Sequence, residues 1–397
     1  MTRPRMTARS RAEEHRASTP LELFFDLCFV VAVAQAGGRL LHAVAEGHAV
    51  TGIVSYAAVF FAIWWAWVNF SWFASAYDTD DPLYRVVTLV QITGVLIFAA
   101  GVPRAFDTGD WTVGVAGYVV MRLALTSQWL RAAYCTQGSE RRVALRYAVG
   151  ITVVQLGWIG MLLLTDNSGG ARAAVFVVLV LAEISVPVLA ERDRATSWHP
   201  RHIGERYGLF TIIVLGETIA AATVAVQEAM DEHNAFRALL PIAAGGLLIV
   251  FSAWWIYFAV PIHDYLRGSR EAFIWGYGHF LVFGSAAAIG SGIEVAVEQA
   301  VGKAHVSNAV AAAAVTVPSA LFLLTVWALH ARHFKRDLAE QLPLPLAALA
   351  ILACTFAGEW AVFAAGLVAA ATVAVGVALS RRPDVAGTGG AGAASGR

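Results

Sequence analysis

Carboxylates placed inside strongly apolar stretches are the residues of this chain most able to do chemistry. Glu217 lies in the segment 205–218, which is apolar apart from Glu205 and Arg206 at its start. On a helix Glu217 would lie about 18 Å beyond Glu205. A carboxylate at that depth in a bilayer costs a few kcal/mol or more, so it needs a partner, a proton or a water-filled cavity. Glu217 is therefore the leading candidate for a proton or cation site, and a buried ion pair with Arg122 is the competing interpretation.

A second acidic pair lies in the apolar stretch near the start of the chain. Glu22 and Asp26 are four residues apart, so both project from one face of a helix. The functional interpretation is a cation or proton site at the cytoplasmic mouth of the protein. The structural interpretation is that Glu22 complements the helix N-terminus while Asp26 pairs with an arginine. The aromatic and apolar neighbours of Asp26 favour function there, and structure is favoured for Glu22.

The segment that carries Glu217 has two polar sectors when it is drawn as a helix. A helix of this kind is not expected to face lipid on either sector and should line the centre of a bundle. Glu205 and Arg206 form either a structural pair at its mouth or part of a pathway. One sector contains Arg206, Phe210, Ile213 and Glu217, and the other contains Tyr207, Thr211 and Thr218.

Two further residues and one group of three have weaker chemical signals. Glu183 precedes Val186-Pro187, where a helix is prone to kink, and is a third acidic candidate. His279 is suited either to relaying protons or to a plain hydrogen bond between helices. His199, His202 and Glu205 have the spacing of metal ligands, but a proline follows His199 in a basic loop, so no metal site is expected.

Motifs of catalysis and of cofactor binding are absent from the sequence. It contains no phosphate-binding P-loop, no G-x-S-x-G, no H-E-x-x-H and no dinucleotide fingerprint, so we expect neither an enzyme nor a cofactor. The acidic run at 78–81 lacks the glycine and distal glutamate of a calcium loop, and Asp81 before Pro82 predicts a helix N-cap. Three scattered cysteines argue against disulfides and zinc.

The elements that must position these residues are membrane-spanning helices. Hydrophobic residues make up 58% of the chain and charged residues 14%, whereas about a quarter of a soluble domain is charged. Apolar blocks of transmembrane length recur throughout. The sequence thus predicts an all-α, polytopic transmembrane helical bundle of about twelve spans, at 21–40, 50–75, 84–104, 111–135, 143–165, 171–191, 206–227, 237–260, 270–292, 306–330, 341–357 and 359–380.

Loop charge predicts the orientation of these spans. With a cytoplasmic N-terminus, 22 of the 28 Lys and Arg fall on the cytoplasmic side, and Arg122 lies inside a span. This asymmetry follows the positive-inside rule, so both termini should be cytoplasmic in a cell (inner) membrane protein. No cleavable signal peptide is visible. The net charge of zero gives no reason to expect a nucleic-acid partner. The opposite side carries Arg39, Arg104, Arg172, Arg237 and Lys303.

The chain also shows signs of an internal duplication. Trp64-Trp65-Ala-Trp67 is echoed by Trp254-Trp255-Ile-Tyr257, Glu22 aligns with Glu205, and Gln91 aligns with His279. Six spans per copy would give a parallel six-plus-six arrangement about an axis along the membrane normal. The alternative is that the tryptophans only mark the bilayer interface. The predicted units are a mobile basic arm at 1–20, a first repeat at 21–192, a cytoplasmic linker at 193–205, a second repeat at 206–382 and a disordered tail at 383–397.

Several separated segments, in order, resemble the bacterial low temperature requirement A family of multi-pass membrane proteins. The resemblance covers nearly the whole chain and implies an integral membrane protein linked by name to growth in the cold, without implying a substrate. The first span is also loosely similar to the Phe-Ser-Asp opening of the bacterial and lysosomal potassium-channel family, with Phe25 at the middle position. The segments that carry the family resemblance are 22–26, 64–70, 78–85 and 205–217.

Two main classes of function follow, with the bilayer and a small solute or cation as partners. In the first, Asp26, Glu217 and Glu183 couple a proton or cation to the transport of a small solute. In the second, a cation channel has its pore between the repeats. A membrane-embedded enzyme with Glu217 as general acid is a lesser alternative, since no nucleophile or cofactor motif accompanies it. The substrate and the oligomeric state are left open.

Overall fold

Long α-helices joined by short connections make up nearly all of the described chain. The computed structural model describes residues 6–9, 13, 17–165, 170–233, 236–266, 268–334 and 337–381. The predicted tail at 383–397 and Arg3, Arg5, Arg11 and Arg16 of the predicted arm lie outside these residues. The principal helices are α1 (Pro20–Ala45), α2 (Ala49–Tyr77), α3 (Pro82–Thr108), α4 (Thr112–Cys135), α5 (Gly138–Leu164), α6 (Gly170–Ala190), α7 (Pro200–His233), α8 (Phe236–Phe258), α9 (Ser269–Ala300), α10 (Asn308–Val326), α11 (Pro343–Cys354) and α12 (Ala361–Ser380).

Each predicted span coincides with one of these helices. Within the described residues, ten helices are long and apolar enough to cross a membrane. The other two are α4, whose apolar stretch is interrupted by Arg122 and Arg131, and α11, which with the turn Leu338–Gln341 forms a shorter apolar segment. The fold is therefore an all-α, multi-pass membrane bundle, as the sequence predicts.

Two helix boundaries differ from the prediction in ways that affect chemistry. α7 begins at Pro200, so His202 and Glu205 lie in its first turns and not in a linker. α10 continues through a π-helical turn, Trp327–Ala331, in which the Arg332 backbone N–H donates to the Trp327 carbonyl five residues earlier. A proline at the N-terminus of a helix costs nothing, because its missing N–H would have no partner there, and this allows α7 to start early.

Most pairs of helices that pack together in the first half of the chain have a counterpart in the second half. α1 packs against α2 and α3, α3 against α4, α4 against α5, and α5 against α6. In the second half α7 packs against α8 and α9, α9 against α10, α10 against α11, and α11 against α12. The halves differ in one respect: α8 packs extensively against α12, whereas the corresponding helices α2 and α6 do not pack closely along their described backbones. The halves meet where α1 and α2 contact α7 and α9.

Glycines permit the closest of these helix contacts. A Cβ on Gly117 of α4 would lie 2.4 Å from the Phe98 nitrogen of α3. A Cβ on Gly292 of α9 would lie 2.1 Å from the Ala314 carbonyl oxygen of α10. Small residues at such crossings let backbones approach and gain van der Waals contact, which drives helix association in lipid.

The described residues of the basic arm lie against the bundle. Met6 is fully buried, and the Arg9 backbone N–H donates to the Ala76 carbonyl at the end of α2 over 2.9 Å. The Ser18 N–H donates to Glu205 of α7 over 3.1 Å. These backbone bonds position the described part of the arm, and the mobility expected from the sequence stays a prediction.

Candidate functional site

The two chemically richest helices, α1 and α7, face each other through matched polar pairs. Glu22 lies beside His202, and Asp26 lies beside Arg206. The members of both pairs are 180 residues apart in sequence. The sequence separation is the same for two pairs that lie one helical turn apart, which means that α1 and α7 run parallel here. All four side chains are fully shielded from the surface.

Asp26 is held by groups from two helices. Its Oδ1 accepts a hydrogen bond from Nη2 of Arg206 over 2.6 Å and another from Nε1 of Trp67 on α2 over 2.7 Å. The same Nη2 donates to Ser71, one turn further along α2, over 3.0 Å. Charge-assisted bonds of this length are the strong class of protein hydrogen bond.

Glu22 has a structural role and an electrostatic one. Its Oε2 accepts the Thr19 backbone N–H over 2.8 Å, and the Thr19 hydroxyl accepts the Glu22 N–H, which forms a capping box at the start of α1. Nε2 of His202 lies 3.2 Å from Glu22 Oε1, and Nη1 of Arg206 lies 4.0 Å from the same oxygen. The two acidic side chains of α1 therefore share one cluster with His202 and Arg206.

The cluster has more acidic groups than it has permanent cations. Glu22 and Asp26 can each carry a negative charge, and Arg206 carries one positive charge. A buried site strongly favours neutrality, so the fourth group, His202, or one of the carboxyls must hold a proton. Oδ2 of Asp26 and Nε and Nη1 of Arg206 are buried without a hydrogen-bond partner. The arrangement can therefore bind and release one proton, and it retains free hydrogen-bonding capacity.

Aromatic rings close the space around this cluster. The ring of Phe25 stacks on Phe70 with centroids 3.7 Å apart, and Trp67 stacks on Phe210 at 4.5 Å. Phe210 in turn meets Phe283 of α9 edge to face at 4.9 Å. Rings from α1, α2, α7 and α9 thus pack beside the charged groups and shield them from water.

Comparison with known proteins assigns the family. The family model described as "Bacterial low temperature requirement A protein (LtrA)" matches residues 17–380, which include every helix named above. The chain belongs to the low temperature requirement A family. An uncharacterized protein, RA0937, of Rhizobium meliloti (strain 1021) is 26% identical over 298 residues, covering 70% of this chain and 68% of that protein. The expected membership is confirmed, and both residue pairs of the α1–α7 cluster lie inside the matched region.

A second buried ion pair of this LtrA-family chain lies within its first half. Nη2 of Arg122 on α4 lies 3.1 Å from Glu183 Oε2 on α6. Nε1 of Trp65 donates to the same oxygen over 2.8 Å, and Nε1 of Trp158 donates to Oε1 over 3.2 Å. Glu183 is fully bonded, so its environment is that of a structural group. The competing hypothesis that Arg122 pairs with Glu217 is wrong, because Arg122 is committed to Glu183.

Glu217 is half-buried on α7, well removed along the helix from the Arg206 cluster. Within the described chain it forms neither a hydrogen bond nor an ion pair. Its neighbour Thr218 donates to the Ala286 carbonyl of α9 over 3.0 Å, which places this turn against α9. Glu217 and Glu298 lie close enough to Glu294 of α9 to repel its carboxylate. The sequence identified Glu217 but not these acidic neighbours.

The remaining candidates lie apart from the α1–α7 cluster. Glu205 points away from Arg206 and accepts the Ser18 N–H, so the two do not pair. His279 is fully buried, with Nε2 3.0 Å from the Tyr257 hydroxyl of α8 and Nδ1 2.8 Å from the Trp275 carbonyl. That is the helix-to-helix hydrogen bond considered from the sequence. Nε2 of His199 bonds the Glu13 carbonyl, and no metal-binding group of His, Cys, Asp or Glu occurs among the described residues.

Three residues of the cluster were not assigned to it from the sequence. They are His202, Trp67 and Ser71. The sequence did contain a spacing that could have identified His202. His202 and Arg206 are four residues apart, as are Glu22 and Asp26, so parallel helices bring both pairs together at one offset. Trp67 and Ser71 repeat that spacing on α2, and all three helices present one turn to the same site.

Proposed function

We propose that this protein is a secondary transporter that couples a proton or cation to the movement of a small solute across the cell membrane, with both termini cytoplasmic. The observation that carries the proposal is the buried cluster of Glu22, Asp26, His202 and Arg206, which has two acids for one permanent cation. Ionisable groups inside a membrane bundle are expensive and mark ion or proton pathways.

The position of the cluster supports this function. Its members come from α1 and α7, the first helices of the two halves, and α2 completes it. Transporters place their sites between repeats, where rocking of one half against the other exposes the site to alternate sides. The largely equivalent packing of helix pairs in the two halves supports the parallel six-plus-six duplication that we propose for this chain.

A cation channel is the second candidate, and the packing around the cluster disfavours it. A conducting pore needs a continuous polar path. Here stacked rings of Phe25, Phe70, Trp67 and Phe210 pack around the charged groups. We do not propose an enzyme, because the sequence contains none of the catalytic motifs considered above. Glu217 and its acidic neighbours are proposed to lie on the route of the ion to the cluster.

The proposal is tested by electrical recording from liposomes on a solid-supported membrane. A pH step applied to the reconstituted protein should produce a transient current as the cluster takes up or releases its proton. Candidate amino acids, organic acids and inorganic cations are then added at constant pH to find a solute that gives a sustained, proton-dependent current. Asp26→Asn should abolish both signals.

The matched control is Asp107→Asn, which removes a carboxylate from an exposed pair with Arg39 on the surface. Currents in this variant should equal those of the wild-type protein. Normal proton currents from a well-folded Asp26→Asn protein would refute the role of the cluster. An ohmic current that persists without a pH gradient and follows only the potassium gradient would assign a channel instead.

A further inference from the structure

A cavity of about 360 Å³ lies in the second half of the molecule, away from the α1–α7 cluster. It is enclosed by the end of α8, the π-helical turn after α10, the start of α11 and the end of α12. Cavities of 300–1,000 Å³ are of the size that binds small molecules. Its wall is mainly apolar and includes Trp255, Val260, His330, Leu344, Thr372 and Gly376.

His330 is the polar group of this wall that lacks a normal hydrogen bond. Its side chain is 1% exposed, and neither ring nitrogen makes a hydrogen bond of ordinary geometry, although the Tyr257 backbone carbonyl lies near the ring. Leaving buried donors and acceptors unbonded costs about 1–3 kcal/mol. A bound molecule with a matching group would remove that cost.

Neighbouring side chains do not meet this need. His279 has its ring centroid 5.6 Å from that of His330, but both of its nitrogens already bond Tyr257 and Trp275. The Tyr257 ring lies 4.8 Å from the His330 ring, tilted by 53° against it. The π-helical turn places His330 at the cavity, and such turns occur frequently at functional sites.

The chemistry of the wall limits the class of ligand. Among the residues that the structure describes, His330 is the one ionisable side chain that lines the cavity, so these residues offer a charged ligand no carboxylate, lysine or arginine as counter-ion. The Thr372 hydroxyl donates to the Val368 carbonyl over 2.7 Å and can still accept a bond. Trp255 is 49% exposed while it lines the cavity, which gives the site a side open to lipid.

We propose that this cavity binds an uncharged amphipathic molecule, with an apolar body and one hydroxyl group hydrogen-bonded to His330. A neutral imidazole offers one acceptor nitrogen, and the hydroxyl of the ligand donates to it. The ligand enters from the bilayer, where such molecules concentrate. This site goes beyond the proposed transport function, because it shares no residue with the cluster of Glu22, Asp26, His202 and Arg206.

The test uses para-hexylphenol and its methyl ether, para-hexylanisole, with the full chain in lipid nanodiscs. The phenol should raise the thermal unfolding temperature in a saturable manner, and the ether, which cannot donate a hydrogen bond, should have at least tenfold weaker affinity. His330→Leu should lose the response to the phenol. His305→Leu is the matched control, because His305 is exposed outside the cavity, and it should respond like the wild-type protein.

A second variant fills the cavity and leaves His330 in place. A Cβ at Gly376 meets no atom within 4 Å, so Gly376→Leu can extend into the space without a clash. This variant should fold normally and show no rise in unfolding temperature with the phenol. It tests the proposal independently if His330→Leu does not fold. Equal shifts with phenol and ether, or an undiminished response in folded Gly376→Leu, would overturn the proposal.

Discussion

The Arg206 guanidinium faces two carboxylates, so losing the positive charge and losing one negative charge have different consequences for this cluster. Removing Asp26 leaves Arg206 and Glu22 as a balanced pair 4.0 Å apart. Removing Arg206 leaves two buried acids that must both find protons. The energetic consequences of the two deletions should therefore differ strongly.

We expect Arg206→Met to lower the free energy of unfolding by about 3–5 kcal/mol, the usual cost of breaking a buried ion pair. Asp26→Asn should lower it by only about 1 kcal/mol, because the amide oxygen still accepts bonds from Arg206 and Trp67. Thermal unfolding in detergent measures both. Equal destabilisation would mean that Asp26 exists to neutralise Arg206 and that the cluster holds no exchangeable proton.

The buried pair of Arg122 and Glu183 should behave as a structural unit. Arg122→Met and Glu183→Gln should each destabilise the protein, by up to about 3–5 kcal/mol, and the double variant should lose much less than the sum. A double-mutant cycle on thermal stability measures the coupling. Additive losses would show that the tryptophan bonds to Glu183, and not Arg122, dominate its environment.

Glu217 should show the opposite pattern. Glu217→Gln removes no hydrogen bond or ion pair of the described chain, and an amide is easier to bury than a carboxylate, so stability should be kept. Solute flux in liposomes should fall severalfold if the ion reaches the cluster past this residue. Glu46→Gln, at an exposed glutamate just after α1, is the control and should transport normally. Unchanged flux in Glu217→Gln would remove this residue from the pathway.

At the scale of elements, α3 is anchored to α4 by its N-cap. The Asp81 side chain accepts the backbone N–H groups of Leu83 and Tyr84, and Arg131 of α4 donates to it over 3.2 Å. Burial alone would raise the pKa of Asp81, but the bonds from Arg131, Thr79 and the Tyr84 backbone lower it to about 2. The ionised form is therefore favoured in the folded protein.

This anchor should give stability that depends on pH. Because the folded pKa is depressed, the contribution of Asp81 is fully present above its ordinary value of 3.8 and is lost as pH falls through about 2. Thermal unfolding between pH 5 and 2 should show Asp81→Asn less stable than wild type at pH 5, with the gap closing towards pH 2. Asp80→Asn, which breaks an exposed pair with Arg85, should show little gap throughout.

The elements could be predicted from the sequence much better than their contacts. Apolar blocks of bilayer length identify helices without knowledge of neighbours, and Pro82 after Asp81 identifies a cap locally. Which cation meets which acid depends on helix register and rotation. For that reason Arg206 pairs with Asp26 and not with adjacent Glu205, and Arg122 with Glu183 and not with Glu217. The proposed role of His330 could not be predicted from the sequence, because it depends on a π-helical turn and on a cavity between four structural elements.

At the scale of the whole molecule, the path of the chain through the membrane depends on α4. This helix contains two arginines, and its length and hydropathy alone do not identify it as a membrane span. The test starts from a chain in which Cys28, Cys135 and Cys354 are replaced. A single cysteine is then introduced on either side of α4, at Asp110 or at Gln137. If α4 crosses, an impermeant thiol reagent added outside cells should label position 110 and not position 137. Labelling of both from one side would exclude α4 as a span and with it the six-plus-six arrangement.

The pairing of α1 with α7 also has a consequence for how the protein is made. Asp26 leaves the ribosome 180 residues before its partner Arg206. At about 5–20 residues per second that interval is roughly 10–40 s. During this time α1 carries two acids without their cation, so we expect it to wait at the insertion machinery or at the membrane surface. Its final placement is thus a late event of biosynthesis, completed only when α7 arrives.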